Sequence, residues 1–414
     1  MIEPRGAVVR PPPPRRIGFW GNFGSGNWGN ECTLQAIVHN VRKRLPAAEM
    51  ICICTDPVST SERHGLSSLA IRKRRQNGAG SGGIVGFVGR SGAELREWST
   101  TFGLVGDIDT LVMTGTGMLT DTGEGPFGLP YDMFIWSTAA KARGGRVLVT
   151  NVGVEAIVHP LTKFFIGAAM RMADYRSYRD GQSREVLRRA GFFDASDFVY
   201  PDLAFSLPEA TVLRKPLPAR PRTTIAVGVY DFRGRGQASA ADLAAYRDYV
   251  AKLGRFVLWL LQQGFAVRII IGDLTYDKPV LHDLRRYLEK NGIAKYREQV
   301  QDSPAQSVED VMDQIAAVDT VVASRFHNVL LGLLLGKPVV SISYNEKNDA
   351  LMTSMGLGAY CQVIERFTVD HLIEQFGALQ AKADDHRKSI AAHAKSYRAS
   401  LEHQYDLLFG PPAS

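Results

Sequence analysis

An arginine, a histidine and a lysine lie near one another late in the chain, as Arg325, His327 and Lys347. Arginine offers a planar fork of donors that matches a carboxylate or a phosphate, and lysine a compact point charge. Histidine changes charge near neutral pH and can carry a proton. Together they suit an anionic substrate whose reaction also moves a proton. The plainer account makes His327 a hydrogen-bonded residue at a helix start. Far upstream lies a second set, Gly21-Asn22-Phe23-Gly24-Ser25-Gly26-Asn27-Trp28-Gly29-Asn30. The carboxamides of Asn22, Asn27 and Asn30 present donors and acceptors together, which fits sugar hydroxyls or phosphate oxygens. Gly24-x-Gly26-x-x-Gly29 also has the spacing of a dinucleotide fingerprint. The ribose-binding acid of that fingerprint should follow about 20 residues on. Asp56 stands further away than that, so the dinucleotide reading is the weaker one, beside that of an unliganded β-to-α turn.

The surrounding elements fix where these side chains go. Val321-Val322-Ala323 reads as a strand ending in Ser324-Arg325-Phe326-His327. Asn328 to Leu335 is apolar throughout and reads as a buried helix, stopped by Gly336-Lys337-Pro338. Val339 to Ser343 is a second β-branched strand, delivering Tyr344, Asn345 and Lys347 on the following loop. Parallel strands joined this way put their carboxyl ends on one edge of a sheet, where open α/β sheets bind ligands. Arg325, His327 and Lys347 are therefore expected on one rim.

The same alternation runs through the rest of the chain. Strands are expected at Arg16–Trp20, Met50–Cys54, Asp109–Thr114, Arg146–Thr150 and Phe198–Tyr200, with helices between them. A second series begins at Thr224–Val229 and continues through a long helix (Ala240–Gln263), a strand (Ala266–Ile271) and a helix (Ser307–Ala317). The expected organisation is a Pro-rich leader at 1–15, a Rossmann-like domain at 16–206 and a Pro-containing linker at 207–222. A second Rossmann-like domain follows at 223–385. A charged amphipathic helix at 386–414 returns toward the first domain. The fold class is α/β, two Rossmann-like domains facing a cleft in the GT-B-like manner. Residues 78–92 are glycine-rich and read as a mobile loop, and Arg72-Lys73-Arg74-Arg75 as a solvated face.

Composition narrows the function classes. The 414 residues are 45% hydrophobic and 22% charged, with a net charge of +7. That leans mildly toward anionic partners. No zinc-finger or aromatic-basic motif supports nucleic-acid binding, and no metal-ligand spacing appears. Cys32, Cys52, Cys54 and Cys361 read as small apolar side chains in a reduced compartment. No apolar run is long enough to span a membrane, and a cytoplasmic location is expected. Gly115-Thr116-Gly117 and Asn151-Val152-Gly153 each follow a strand, where small residues allow a ligand to approach the backbone. Arg179-Asp180-x-x-Ser183 opens a helix, either as a cap or as an anion ligand.

Taken in order, these motifs resemble the polysaccharide pyruvyl transferase family. They are Gly21-Asn22 through Asn30-Glu31 with Leu34-Gln35-Ala36, Gly115-x-Gly117, Arg179-Asp180-x-x-Ser183, Pro201-Asp202, Ser324-Arg325-x-His327, and Gly336-Lys337-Pro338 with Tyr344 and Lys347. The resemblance implies a GT-B-like fold. It also implies transfer of the pyruvyl group of phosphoenolpyruvate to two hydroxyls of a sugar, giving a cyclic ketal and phosphate. It places Arg325 and His327 at the phosphoenolpyruvate site. There His327 and Arg325 are the expected catalytic pair, with Lys347, Arg179, Ser324, Tyr344 and Asn328 as further phosphoenolpyruvate ligands and Arg233 as a further cation. Asn22, Gly24, Asn27, Gly29, Asn30, Gly115 and Gly117 fall to the acceptor side. The expected partners are phosphoenolpyruvate and a sugar or lipid-linked oligosaccharide, with peripheral membrane contact through the latter and no nucleic acid. No cofactor or metal is expected. Asn151-Val152-Gly153-Val154 departs from the family's Gly-Ile-Gly-Pro-like turn. The alternative is a GT-B glycosyltransferase using a nucleotide sugar, with Glu346 as its ribose-binding acid. A non-catalytic glycan-binding protein is a third reading, against which Arg325, His327 and Lys347 speak.

Overall fold

The computed structural model describes residues 15–72, 97–117, 119–120, 125–192, 197–212, 221–233 and 239–413. The leader, the glycine-rich 78–92 stretch, Lys73-Arg74-Arg75 and most of the linker lie outside them.

Two parallel sheets organise the chain. The first contains β1 (Arg16–Trp20), β2 (Glu49–Cys54), β3 (Ser67–Ala70), β4 (Thr110–Thr114), β5 (Arg146–Val152), β6 (Tyr175–Tyr178) and β7 (Phe198–Val199), in the order β3-β2-β1-β4-β5-β6-β7. The second contains β8 (Thr224–Gly228), β9 (Ala266–Ile270), β10 (Val300–Gln301), β11 (Thr320–Ala323), β12 (Val339–Ser343) and β13 (Cys361–Val363), in the order β10-β9-β8-β11-β12-β13. The middle strands β4, β8 and β12 are buried at every residue, as expected of strands covered by helices on both faces. Strand order reverses between β1 and β4 and between β8 and β11. Those are the switch points where an open α/β sheet forms a crevice beyond its strands' carboxyl ends. The loops leaving both switch points meet across one cleft.

The interior strands follow their β-branched runs closely. The edge strands β3, β10 and β13 are not marked by the sequence pattern, because two to four residues show no period. Two boundaries matter for the site. The helix Trp28–Arg44 begins inside the Gly21–Asn30 set rather than after it. Asn27 caps it, its Oδ1 accepting from Gly29 N at 3.1 Å and Asn30 N at 3.3 Å. Lys347 lies not on a loop but in the first turn of the helix Glu346–Ser354, capped by Asn345.

The last helix, Ala383–Phe409, crosses from the second sheet to the first. Arg44, its side chain fully buried, donates to Glu402 (2.5 Å) and Asp406 (2.6 Å). Tyr405 meets Ser206 at 2.9 Å, and Gln404 donates to Ser177 at 2.8 Å. All four cysteines are free, and three are buried.

Candidate active site

The carboxyl ends of the two sheets enclose a cavity of about 260 Å³. The loop after β1 forms its floor on the first-domain side. Gly24 adopts φ +79°, a conformation L side chains avoid, and a Cβ there would overlap the Asp56 carbonyl. Its N–H donates to Glu31 Oε1 at 2.9 Å, and the fully buried Glu31 is held in turn by His64 Nε2 at 2.8 Å. Asn30 Nδ2 donates to the Asn22 carbonyl (2.8 Å), and Asn22 Oδ1 accepts from Thr55 (2.8 Å). Asn27 Nδ2 reaches across to Asp273 Oδ2 at 3.2 Å. All three asparagines line the cavity, though part of their bonding capacity shapes the loop itself.

This loop is not arranged as a dinucleotide fingerprint. Asp56 caps the helix Pro57–His64 by accepting from Ser59 N, so it is not placed as a ribose ligand. Trp28 N donates to Gly272 O at 3.0 Å, and Gly26 O accepts from Leu274 N at 3.0 Å. The second domain thus occupies the helix start where a pyrophosphate would sit.

Three cations meet at the cavity, each against a carboxylate. Arg325 caps the helix Phe326–Leu334 through its backbone. Its Nε and Nη2 both donate to Asp277, each at 2.7 Å, and its guanidinium lies over the Tyr230 ring. Asp277 is fully buried and also accepts from the amides of Gly272 and Asp273. Burial raises the Asp277 pKa, opposed by Arg325. One edge of the Arg325 fork is therefore committed to the fold, and the other remains for a ligand.

Arg179 directly follows β6 and is buried against Phe326, 4.6 Å from the ring. Its Nη1 reaches Asp202 Oδ2 at 3.4 Å, and its Nε has no hydrogen-bond partner. Gly153 makes room for it, since a Cβ there would stand 2.5 Å from the guanidinium carbon. Lys347 Nζ donates to Glu155 Oε1 at 2.8 Å across the cleft. Burial pushes the Glu155 pKa up, but Lys347 and Arg179 outweigh it and hold the carboxylate ionised.

His327 occupies the first helical turn after Arg325. Its ring packs on Gly29, where any Cβ would overlap Nδ1 and Cγ. Its Nε2 stands 3.7 Å from Asp202 Oδ2, beyond hydrogen-bond length, and is buried without a partner. Burial lowers the His327 pKa below its usual value, assisted by Arg179 and Lys347 and opposed by Asp202, which favours the neutral ring. Thr116 Oγ1, on the loop after β4, is a third buried polar atom at the cavity without a partner. These three polar atoms are donors or acceptors left free at the cavity.

The other sequence candidates divide. Tyr344 and Gly117 line the cavity, Tyr344 stacked on Tyr230 with ring centres 4.0 Å apart. Ser324, Asn328 and Gly115 do not line it. Ser324 is buried against the Tyr249 hydroxyl at 3.1 Å. Asn328 is buried behind Gly272, and Gly115 is pressed against the Asn151 carbonyl. Arg233 is paired with Asp231 at 2.6 Å and stands over Tyr246. Glu346 accepts from Gln182 and is not part of the cavity wall. Arg72 pairs with Asp132 at 2.5 Å rather than with solvent. Glu155, Asp277 and Tyr230 carry no sequence signal, because each is picked out only by its partner in the other domain or on another loop. Asp202 belonged to a recognisable Pro-Asp pair, but nothing in the sequence pointed to His327 as its neighbour. Among the described residues no group of three or more His, Cys, Asp or Glu side chains is arranged to hold a metal ion.

Two doubly wound parallel sheets with a polar cleft at their facing switch points define the GT-B class of α/β enzyme. Solved structures of that class align over nearly the whole chain. A UDP-N-acetylglucosamine 2-epimerase aligns with TM-score 0.60 at 13% identity, covering 97% of this chain and 99% of its own. The Neisseria meningitidis UDP-GlcNAc 2-epimerase bound to UDP-GlcNAc gives 0.58 at 11%, covering 93% and 99%. Acinetobacter baumannii MurG gives 0.50 at 13%, covering 95% and 99%. At such identities the likeness concerns the fold alone. No sequence match is found among curated proteins. The family model for polysaccharide pyruvyl transferase matches residues 27–346, and the chain belongs to that family.

Proposed function

We propose that the protein transfers the pyruvyl group of phosphoenolpyruvate to two hydroxyls of a sugar in a surface polysaccharide or its precursor, forming a cyclic ketal and releasing phosphate. The observation that carries this reading is His327, its Nε2 without a hydrogen bond, beside three cations in one cavity. Phosphoenolpyruvate brings a carboxylate and a phosphate, and Arg179, Lys347 and the uncommitted edge of Arg325 supply the matching charge. The first sugar oxygen bonds to C2 of the enolpyruvyl group while C3 gains a proton and becomes a methyl group. The second oxygen then bonds to C2 as the C2–O bond to phosphate breaks. Two hydroxyl protons are lost, one balancing the gain at C3 and one leaving with phosphate. Neutral His327 takes the first hydroxyl proton, and Asp202 supports the imidazolium that results. Glu155, ionised and on the acceptor side, is the natural hydrogen-bond acceptor for a sugar hydroxyl once phosphoenolpyruvate draws Lys347 toward itself. The cations provide the charge balance without a metal ion.

Incubating the protein with phosphoenolpyruvate and pyruvylated-glycan precursors tests this. Phosphate release should accompany a mass gain on the acceptor, and both should be lost in His327→Ala. Wild-type turnover in that variant would remove His327 from the chemistry. The competing nucleotide-sugar glycosyltransferase reading is separated by thermal shift. A ligand at 100 times its Kd stabilises by about 2.7 kcal/mol. Phosphoenolpyruvate should raise the melting temperature and nucleotide sugars should not. The reverse result favours the glycosyltransferase.

A further inference from the structure

We propose that the outer face of the helix Pro160–Met172, together with Phe127, is a docking surface for an anionic phospholipid bilayer. Large apolar side chains are usually covered, yet here Val158 is 74% exposed, Phe164 58%, Phe127 55% and Leu161 41%. They form one patch. Phe165 touches both Phe127 (5.8 Å between ring centres) and Phe164 (5.5 Å), and Leu161 precedes Phe164 by one helical turn. Contiguous exposed apolar surface on a soluble face marks an interaction site.

Charge identifies the occupant. From 156 to 173 the chain has no Asp or Glu, while Lys163 and Arg171 stand exposed on the same helix. Among the described residues at its borders, Glu155 pairs with Lys347, Asp174 with Lys141, and Asp132 and Glu97 share Arg72. On this helix, aromatic and aliphatic side chains interleaved with cations and no acids match an anionic lipid surface. The patch also adjoins the cavity mouth. Gly125, Leu129 and Pro130 flank Phe127 in sequence and line the cavity, and Glu155 lies three residues before Val158. A docked membrane would thus hold the first domain's rim at the lipid surface, where a membrane-tethered glycan ends.

Co-sedimentation of the full chain with phospholipid vesicles tests this without substrate, and so independently of the proposed reaction. The chain should bind phosphatidylglycerol-containing vesicles, not pure phosphatidylcholine ones, and added salt should weaken binding. Leu161→Glu/Phe164→Glu should reduce the bound fraction about tenfold or more, and the exposed, fold-neutral Lys163→Glu should also weaken it. Unchanged melting temperatures would show both variants folded. Absence of binding to anionic vesicles, equal binding to zwitterionic ones, or full binding by the double variant would each overturn the proposal. A concentration-dependent dimer split by the same substitutions would assign the patch to a second copy of the chain instead.

Discussion

Gly29→Ala should make the protein nearly inactive at a modest cost in stability. Gly29 lies in the first turn of the helix Trp28–Arg44 with no positive φ, so alanine fits its backbone. Replacing glycine by alanine inside a helix is favourable by up to about 1 kcal/mol, less near an end. The obstacle is the His327 ring, which lies where the new methyl group would go. Ordinary carbon contacts stand at about 3.5–4 Å, so the ring must retreat by more than roughly 1 Å. It has little space to do so, since Asp202 stands 3.7 Å from its far nitrogen and Phe326 packs edge-on at 5.1 Å between ring centres. A displacement of about 1 Å in a reacting group can cost about 10²-fold in rate, and complete loss of an acid/base about 10²–10⁴-fold. Turnover should therefore fall at least about 100-fold, with a stability loss of about 1–3 kcal/mol from the overlap, offset in part by the helix gain. Phosphate release under saturating phosphoenolpyruvate, beside a calorimetric melt, measures both. The double variant Gly29→Ala/His327→Ala sharpens the test. If the methyl acts only by displacing the ring, adding it to His327→Ala costs nothing further. Additive losses, or wild-type turnover in Gly29→Ala alone, would refute the reasoning.

Two further predictions concern the buried charges. Asp202→Asn removes the carboxylate that raises the His327 pKa, leaving burial, Arg179 and Lys347 to depress it further. The base works in its neutral form and is lost as pH falls through its pKa. The acid limb of kcat/KM should therefore begin below the ordinary histidine range in the wild type and move to still lower pH in the variant. An unmoved limb would separate Asp202 from the proton carrier. Asp277→Asn strips the buried Arg325 of its bidentate partner; breaking such a pair costs about 3–5 kcal/mol. Urea denaturation should show a loss of that order together with weakened phosphoenolpyruvate binding, and an unchanged midpoint would mean that the ion pair does not anchor the loop.

The parts of this site legible in the sequence are those fixed by local pattern. β11, the buried helix after it and β12 announce themselves through β-branched and apolar runs, and Arg325 and His327 follow at fixed offsets. Parallel-sheet geometry then places them on one rim with Lys347. The illegible parts depend on pairs distant in the chain. Lys347 looked like a loop residue because the short helix Glu346–Ser354 has only a weak apolar stripe, and its function in the cleft is set by Glu155, nearly 200 positions earlier. Arg325 looked like an open clamp, but Asp277 already holds one edge of its guanidinium. A buried arginine bound on one side presents its remaining donors in a fixed direction, as a selective anion site requires. Arg179 is the complementary case: Asp202 and Asp180 stand 3.4 and 3.7 Å from its guanidinium, and its buried Nε makes no hydrogen bond. The two arginines thus divide the work. On the proposed reaction, Arg325 contributes a preset direction and Arg179 a free Nε donor for the anion.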